Sequence, residues 1–390
     1  MRIVQVTPRF PPAIGGMENH VYAISIELIR RGHEVIVVTS DDINGDKNSI
    51  KENVGIVDGI KVYRHPLLFR RIIREYWLVS DVARTLRNLH ADVVHAHGYR
   101  CLSSCVATYW CKKNKVPVIL TPHGIYPPRS LGNALIKSIY DYSFGNLLLK
   151  FSSRIVALTE NNKQLLLKIG APRDKIVMIP NGVDVAKYRK IRSSNERRKK
   201  HGFDGPVLLY VGRIDWNKGL EKVIEAMPML TKEFGHAKFL IVGPDYANYS
   251  RNLLYLARKL GVHDSIVMTG RVSEEQLFLY YSIADIFIFP SIYEAFGLSL
   301  LEAMASYVPV IASKSGGIKD IVVDGVHALL LKDCSPQEIF NSVSMLLHDS
   351  KLKEKLRENA FNLVSRKYSW DAVVDKIEAL YKEVFNKTKT

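Results

Sequence analysis

Residues 286–305 read IFIFPSIYEAFGLSLLEAMA. The four apolar residues Ile286–Phe289 do not alternate with polar ones, which predicts a strand buried on both faces. Pro290 ends the strand, and an apolar helical pattern starts near Gly297. A buried strand that runs through a short loop into a helix is half of a βαβ unit. The stretch therefore predicts a parallel sheet covered by helices.

Working outward, the same unit recurs in both directions. In the first half, strands are expected at Ile3–Thr7, Val35–Thr39, Lys61–Arg64, Val93–Ala96, Val118–Thr121, Arg154–Ala157 and Ile176–Ile179. In the second half they are expected at Val207–Val211, Lys238–Val242, Ile266–Thr269, Ile286–Phe289, Val308–Ala312 and Ala328–Leu331. Two such series predict an α/β protein with two Rossmann-like, doubly wound parallel-sheet domains facing a central cleft, with ligands at the carboxyl ends of the strands. The division is expected just after Asn181-Gly182-Val183-Asp184, giving domains 1–185 and 186–371. Between Ala186 and Gly205 the chain is polar and basic before a fresh strand begins at Val207. A last helix is expected near Trp370–Phe385.

The 390 residues suit two domains of ordinary size. An apolar share of 47% and a charged share of 24% are those of a globular chain. The opening MRIVQVTPRF carries no cleavable-signal pattern, and no apolar run approaches the roughly 18 residues that cross a bilayer. A soluble or peripheral protein is therefore expected. Cys101, Cys105, Cys111 and Cys334 show no CxxC spacing and read as small buried side chains in a reducing compartment. The net charge of +16 favours anionic partners: nucleotide diphosphates, anionic lipid head groups or nucleic acid. Against nucleic acid stands the lack of a motif with base-reading geometry, such as a zinc knuckle or an RNP aromatic pattern.

The 286–305 unit also carries chemistry. Free amides where the helix starts, at Gly297 and Leu298, suit a diphosphate, and Gly297 allows close approach. Glu294 in the loop and Glu302 inside the helix give two carboxylates, one for sugar hydroxyls and one for a ribose diol. Glu302 lies in an apolar run, where an unpartnered carboxylate is costly. The second unit is Leu208-Leu209-Tyr210-Val211-Gly212-Arg213-Ile214-Asp215-Trp216-Asn217-Lys218-Gly219. Its two cations, Arg213 and Lys218, at a strand's carboxyl end suit the charge of a departing diphosphate. No Asp-x-Asp pair is present to hold a divalent ion, so these cations take the neutralising role and no metal or cofactor is expected.

In the first half, Gly15-Gly16 precedes an amphipathic helix at the first βα turn, which is not the GxGxxG of dinucleotide oxidoreductases. His123, in Thr121-Pro122-His123-Gly124, ends a strand at the cleft edge and can contact a sugar hydroxyl. His95 and His97 share one face of a strand. As a metal pair they lack a further ligand, so strand-end packing or acceptor contact is the preferred reading.

Taken together, these motifs are similar to those of glycosyltransferase family 4, with the Glu-x7-Glu element Glu294–Glu302 as the most specific feature. The resemblance covers essentially the whole chain. It implies a GT-B fold, retention of anomeric configuration, no metal requirement, and a C-terminal helix, about 372–390, crossing back to the first domain. It also implies that Glu294 holds the donor sugar, Glu302 the ribose, and Arg213 and Lys218 the diphosphate, with amides from Gly297 and Leu298. Gly16 would lie under the phosphate from the other domain, and His123 against the sugar. Departures from the family pattern are Ser306-Tyr307, Lys319-Asp320 after Gly316-Gly317, and His327-Ala328; they bear on base identity and loop shape.

Base choice is expected near Gly270-Arg271, with a UDP-sugar as the first donor and a GDP-sugar as the next. The run Gly15–Val21 is similar to the opening of lipid-directed members, so the acceptor is either lipid-linked or a glycan. The segment Leu67–His90 carries Arg70, Arg71, Arg74, Arg84 and Arg87 among aromatic residues. On a helix it would suit an anionic membrane surface or, equally, pack on the first sheet. A cytoplasmic protein is implied, either free or peripheral at the inner face of the membrane. The competing functions are a GT-B nucleotide-sugar epimerase or phosphorylase, and a non-catalytic protein that binds nucleotide-sugars or membranes.

Overall fold

Each β-branched run expected as a strand is a strand in the computed structural model, which describes residues 1–43, 50, 53–68, 77–125, 131–189, 198, 200–245 and 248–389. They are β1 (Arg2–Val6), β2 (Glu34–Ser40), β3 (Val54–Val57), β4 (Ile60–His65), β5 (Leu67–Leu68), β6 (Leu78–Val79), β7 (Val93–His97), β8 (Val118–Thr121), β9 (Arg154–Ala157) and β10 (Ile176–Met178), followed by β11 (Val207–Val211), β12 (Lys238–Val242), β13 (Ile266–Gly270), β14 (Ile286–Phe289), β15 (Val310–Ser313) and β16 (Leu329–Leu331). Of these, β3, β5 and β6 were not anticipated.

The chain forms two units: residues Met1–Gly182 with Trp370–Thr390, and residues Val183–Ser369. The first sheet has the order β10-β9-β8-β7-β1-β2-β4-β3. Its strands are parallel except β3, which pairs antiparallel with β4. The turn between them is Asp58-Gly59, both residues left-handed, a pairing that matches the twist of a tight hairpin. β7 is buried along its whole length, and β2 after its first residue, as continuous apolar strands covered on both faces should be. The C-terminal helix, Trp370–Lys389, packs on the helix Gly16–Arg30. It buries Val373, Val374, Ile377, Leu380, Tyr381 and Val384 at helical spacing. Arg31 reaches it through Asp375 (2.6 Å) and Glu378 (3.1 Å).

The second sheet is wholly parallel, in the order β13-β12-β11-β14-β15-β16. Each sheet reverses its order once. In the first unit the chain steps from β1 outward through β2, then returns to the other side of β1 for β7. In the second it runs from β11 to β13, then returns beside β11 for β14. Such switch points leave a crevice between diverging loops at the strands' carboxyl ends. They lie at β1/β7 and at β11/β14.

The expectation of a helix over Leu67–His90 needs correction. Its described residues hold the paired strands β5 and β6, and among them only Val82–Leu89 is helical. Arg70, Arg71 and Arg74 lie outside the described residues. Cys101 and Cys111 are buried, whereas Cys105 and Cys334 are half-buried, and all four are free thiols. No described helix is long and apolar enough to cross a membrane.

Candidate functional site

The β11/β14 switch point gathers several of the expected residues. After β11, Asp215 caps a short turn, Trp216–Lys218, by accepting from the Trp216 amide at 2.8 Å. The Ile292 amide donates to the Asn217 carbonyl at 2.9 Å, tying the loop after β14 to the loop after β11. Across that tie, Lys218 Nζ donates to Glu294 Oε2 at 2.7 Å, with side chains only 9% and 17% exposed. Arg213, on the same loop, is exposed and has no ion-pair partner among the described residues. Its carbonyl accepts from the buried Tyr210 hydroxyl at 2.9 Å, which fixes the loop's exit from the sheet.

The loop that carries Glu294 is braced by residues whose role sequence reasoning missed. The Ser313 and Ser315 hydroxyls both donate to the Ser291 carbonyl at 2.6 Å. The Gly317 amide donates to the Glu294 carbonyl at 2.9 Å. Gly316 sits at φ 53°, and a Cβ there would fall 2.1 Å from that same carbonyl oxygen, so only glycine fits. The glycine pair was visible in the sequence, but nothing local connects it to Glu294.

Gly297, left-handed at φ 94°, opens the helix Leu298–Ala305. The amides of Leu298 and Ser299 precede the first helical hydrogen bonds and are free to meet an anion. Glu302 is partnered: the Tyr281 hydroxyl donates to its carboxylate at 2.8 Å. Burial raises the Glu302 pKa, and the Tyr281 and Tyr188 hydroxyls pull it back down. Arg271 is exposed one residue beyond the edge strand β13, with β12 between it and β11.

The β1/β7 switch point holds a chain of hydrogen bonds. His95 joins the Tyr381 hydroxyl through Nδ1 (2.7 Å) and Thr121 Oγ1 through Nε2 (2.7 Å). Gln5 Nε2 donates to the Tyr381 hydroxyl (3.2 Å), and Gln5 Oε1 faces His97 Nε2 (2.7 Å). His97 Nδ1 in turn meets His123 Nε2 at 2.9 Å. Burial pushes all three imidazoles well below the usual histidine pKa, so they are neutral at pH 7. The amide orientation of Gln5 then fixes the protons. Gln5 Oε1 only accepts, so His97 carries its proton on Nε2 and accepts at Nδ1. His123 must therefore donate from Nε2, and its Nδ1 is left as a lone-pair acceptor. His123 is also left-handed at φ 58°, a strained backbone of the kind concentrated at functional sites. His95, in the middle of β7, and His97, at its end, are thus both held in this hydrogen-bonded chain.

His20, to which no role was given from sequence, stands edge-on to His123 with ring centroids 4.7 Å apart. Burial lowers its pKa to about 4, and Asn181 opposes that shift without reaching hydrogen-bond geometry. Ligand atoms of His20, His97 and His123 all lie within 4.8 Å of one another. A metal held there would replace the His97–His123 hydrogen bond. Gly16 begins the helix beside this cluster, and Glu18 in its first turn pairs with Arg9 at 2.8 Å. The Arg9 guanidinium lies over the Trp77 ring, 4.7 Å from its centroid.

Two family models match the chain: Glycosyltransferase Family 4 over residues 14–187, and Glycosyl transferases group 1 over residues 193–363. An uncharacterized glycosyltransferase of Methanocaldococcus jannaschii is 29% identical over 98% of both chains. A phosphatidylinositol N-acetylglucosaminyltransferase chain of Arabidopsis thaliana is 24% identical over 98% of this chain and 81% of its own. Among solved structures, Anabaena HepE in complex with UDP and glucose superposes with a TM-score of 0.78 at 20% identity, covering 98% of this chain and 100% of that one. The fold is GT-B.

Proposed function

Because this chain belongs to the group 1 glycosyltransferases of family 4, we propose that it transfers a sugar from a UDP-sugar to a lipid-linked acceptor with retention of configuration and without a metal. UDP is favoured over GDP because the neighbour HepE was solved with UDP. The phosphatidylinositol N-acetylglucosaminyltransferase relative supports a lipid-linked acceptor, and a glycogen synthase of Mycobacterium tuberculosis, 26% identical over 98% of this chain, keeps a glycan as the alternative.

The observation that carries this reading is the Lys218–Glu294 pair at the β11/β14 switch point. Each group holds the other in position before a donor binds. On binding, Lys218 and Arg213 face the diphosphate, the Leu298 and Ser299 amides cap it, and Glu294 accepts from sugar hydroxyls. The bond between C1 and the β-phosphate oxygen breaks, and the nucleoside diphosphate leaves with the electron pair. The acceptor oxygen bonds C1 from the same face, and its proton passes to the departing phosphate oxygen. The two cations and the amides stabilise the charge as it develops on that oxygen. Glu302 is assigned the ribose, Arg271 the base side, Gly16 a phosphate contact and His123 a sugar hydroxyl.

Lys218→Ala and Glu294→Gln should each cut transfer by about 100-fold or more, measured as UDP release with acceptor present, in protein that circular dichroism shows to be still folded. Wild-type rates from either variant would overturn the assignment. Proton NMR of the first product formed should show the donor's anomeric configuration, and an inverted product would end the claim of retention.

A further inference from the structure

His20 is only 2% exposed, yet neither its Nδ1 nor its Nε2 has a hydrogen-bond partner among the described residues. A buried neutral imidazole in that state leaves one donor and one acceptor unmatched, which is costly. The ring meets His123 and His97 in T-shaped contacts, with centroids 4.7 and 5.8 Å away. Along its own strand His97 lacks a second metal ligand beyond His95. The fold supplies two from elsewhere: His20 from the helix Gly16–Arg30 and His123 from the loop after β8.

The geometry of the three rings is close to that of a ligand set. One nitrogen from each of His20, His97 and His123 falls within 4.8 Å of the others. In a tetrahedral site with metal–nitrogen bonds of about 2.0–2.1 Å, ligand nitrogens stand about 3.3 Å apart. His97 Nδ1 and His123 Nε2, at 2.9 Å, need to part only slightly. The widest gap has at most about 4.8 − 3.3 = 1.5 Å to close. His97 is already set for the role, because its Nε2–H is held by Gln5 Oε1 at 2.7 Å and its Nδ1 lone pair is turned to the cluster. A carbonyl on the far N–H is how metal-binding histidines are oriented. Asn181 acts on the His20 ring, and its Oδ1, buried without a partner, can do the same there. Three imidazoles with no thiolate or carboxylate suit a borderline ion such as Zn²⁺ or Co²⁺, whereas Mg²⁺ and Ca²⁺ take oxygen ligands.

We propose that His20, His97 and His123 bind one zinc-class ion through three imidazole nitrogens, leaving a fourth position for water. The His97–His123 hydrogen bond gives way. The proton on His123 Nε2 moves to Nδ1, which frees the Nε2 electron pair for the metal, and no proton is released. Occupancy thereby turns His123 Nδ1 from an acceptor into a donor. All three ligands lie in the first unit, and the inference does not use the sugar-transfer reading, since binding is measured without donor or acceptor.

The full chain, stripped with a chelator and dialysed, should take one equivalent of Zn²⁺ in competition with a chromophoric chelator. One equivalent of Co²⁺ should give the visible bands of tetrahedral cobalt. It should lack the near-ultraviolet band that a thiolate ligand adds, which separates this site from the four free cysteines. His20→Phe keeps the ring's bulk, removes a ligand and should abolish both signals. Asn181→Ala should weaken Zn²⁺ affinity about tenfold or more while the cobalt spectrum keeps its shape. In the zinc-bound chain, long-range nitrogen–proton NMR should find the His123 proton on Nδ1. A wild type that takes up no Zn²⁺, or whose cobalt stays octahedral, rules the site out. So does a folded His20→Phe chain that binds Zn²⁺ as tightly as wild type.

Discussion

Gln5 occupies the middle of a buried strand, yet its amide decides which nitrogen of His123 is free to accept a hydrogen bond. With Oε1 toward His97, the protons run Nε2–H on His97 and Nε2–H on His123. Long-range nitrogen–proton NMR should find His123 Nδ1 bare, and a protonated Nδ1 would refute the arrangement. Gln5→Leu removes the acceptor that fixes His97, and should cost transfer roughly five- to tenfold, the worth of one hydrogen bond. The same histidines make the first unit acid-sensitive. Unfolded, these rings take up protons below about pH 6.5, whereas folded His20 resists until about 4. Between those values the unfolded state binds more protons, so stability falls as pH drops. For His20 alone the loss approaches about 3 kcal/mol by pH 4. Urea unfolding at pH 7 and pH 5 reads this directly, and equal stability at both would mean the imidazoles are not buried neutral.

The next scale up is the loop between β14 and its helix, whose shape depends on a glycine in a different element. Gly316→Ala adds a methyl group against the Glu294 carbonyl and also strains a left-handed backbone. Gly325→Ala meets the same backbone difficulty at φ 67° but has open space around it. Gly325→Ala should lose about 1–2 kcal/mol of stability; Gly316→Ala, which adds the clash with the Glu294 carbonyl, should lose more, and it alone should lose transfer as well. Equal activity in the two would mean that the brace does not set the position of Glu294. The comparison also shows what was readable in advance. Strands buried on both faces announce themselves by continuous apolar runs, and Glu294, Lys218 and Arg213 sit beside such runs. β3 was missed because its residues alternate weakly at an exposed edge, although Asp58-Gly59 was a usable hairpin signal. The Gly316 brace and the histidine chain depend on side chains meeting across the fold. Gln5 and Tyr381 are 376 positions apart, a contact that local pattern cannot disclose.

For the molecule as a whole, the two units make different predictions. Residues 183–369 contain a complete parallel sheet, its helices, and the Lys218–Glu294 pair. Expressed alone, that fragment should fold cooperatively and be stabilised by UDP in a thermal-shift assay; a fragment that is unfolded or indifferent to UDP would contradict the placement of the nucleotide site. A chain ending at Ser369 should instead lose the first unit's stability selectively. It forfeits the apolar face of the last helix and the Tyr381 hydroxyl on which His95 and Gln5 converge.

The first unit leaves its own fold at Gly182 and regains it only at Trp370, whose indole lies so close to Gly182 that a Cβ there would come within 2.5 Å of the ring. During synthesis, then, the amino-terminal half emerges with one flank of its sheet bare and must wait for nearly two hundred further residues before the closing segment arrives. A ribosome that stalls late would release a product with a finished second unit and a first unit still open to proteases. The order of assembly is thereby set by the chain's route, with the earliest residues made among the last to be sealed.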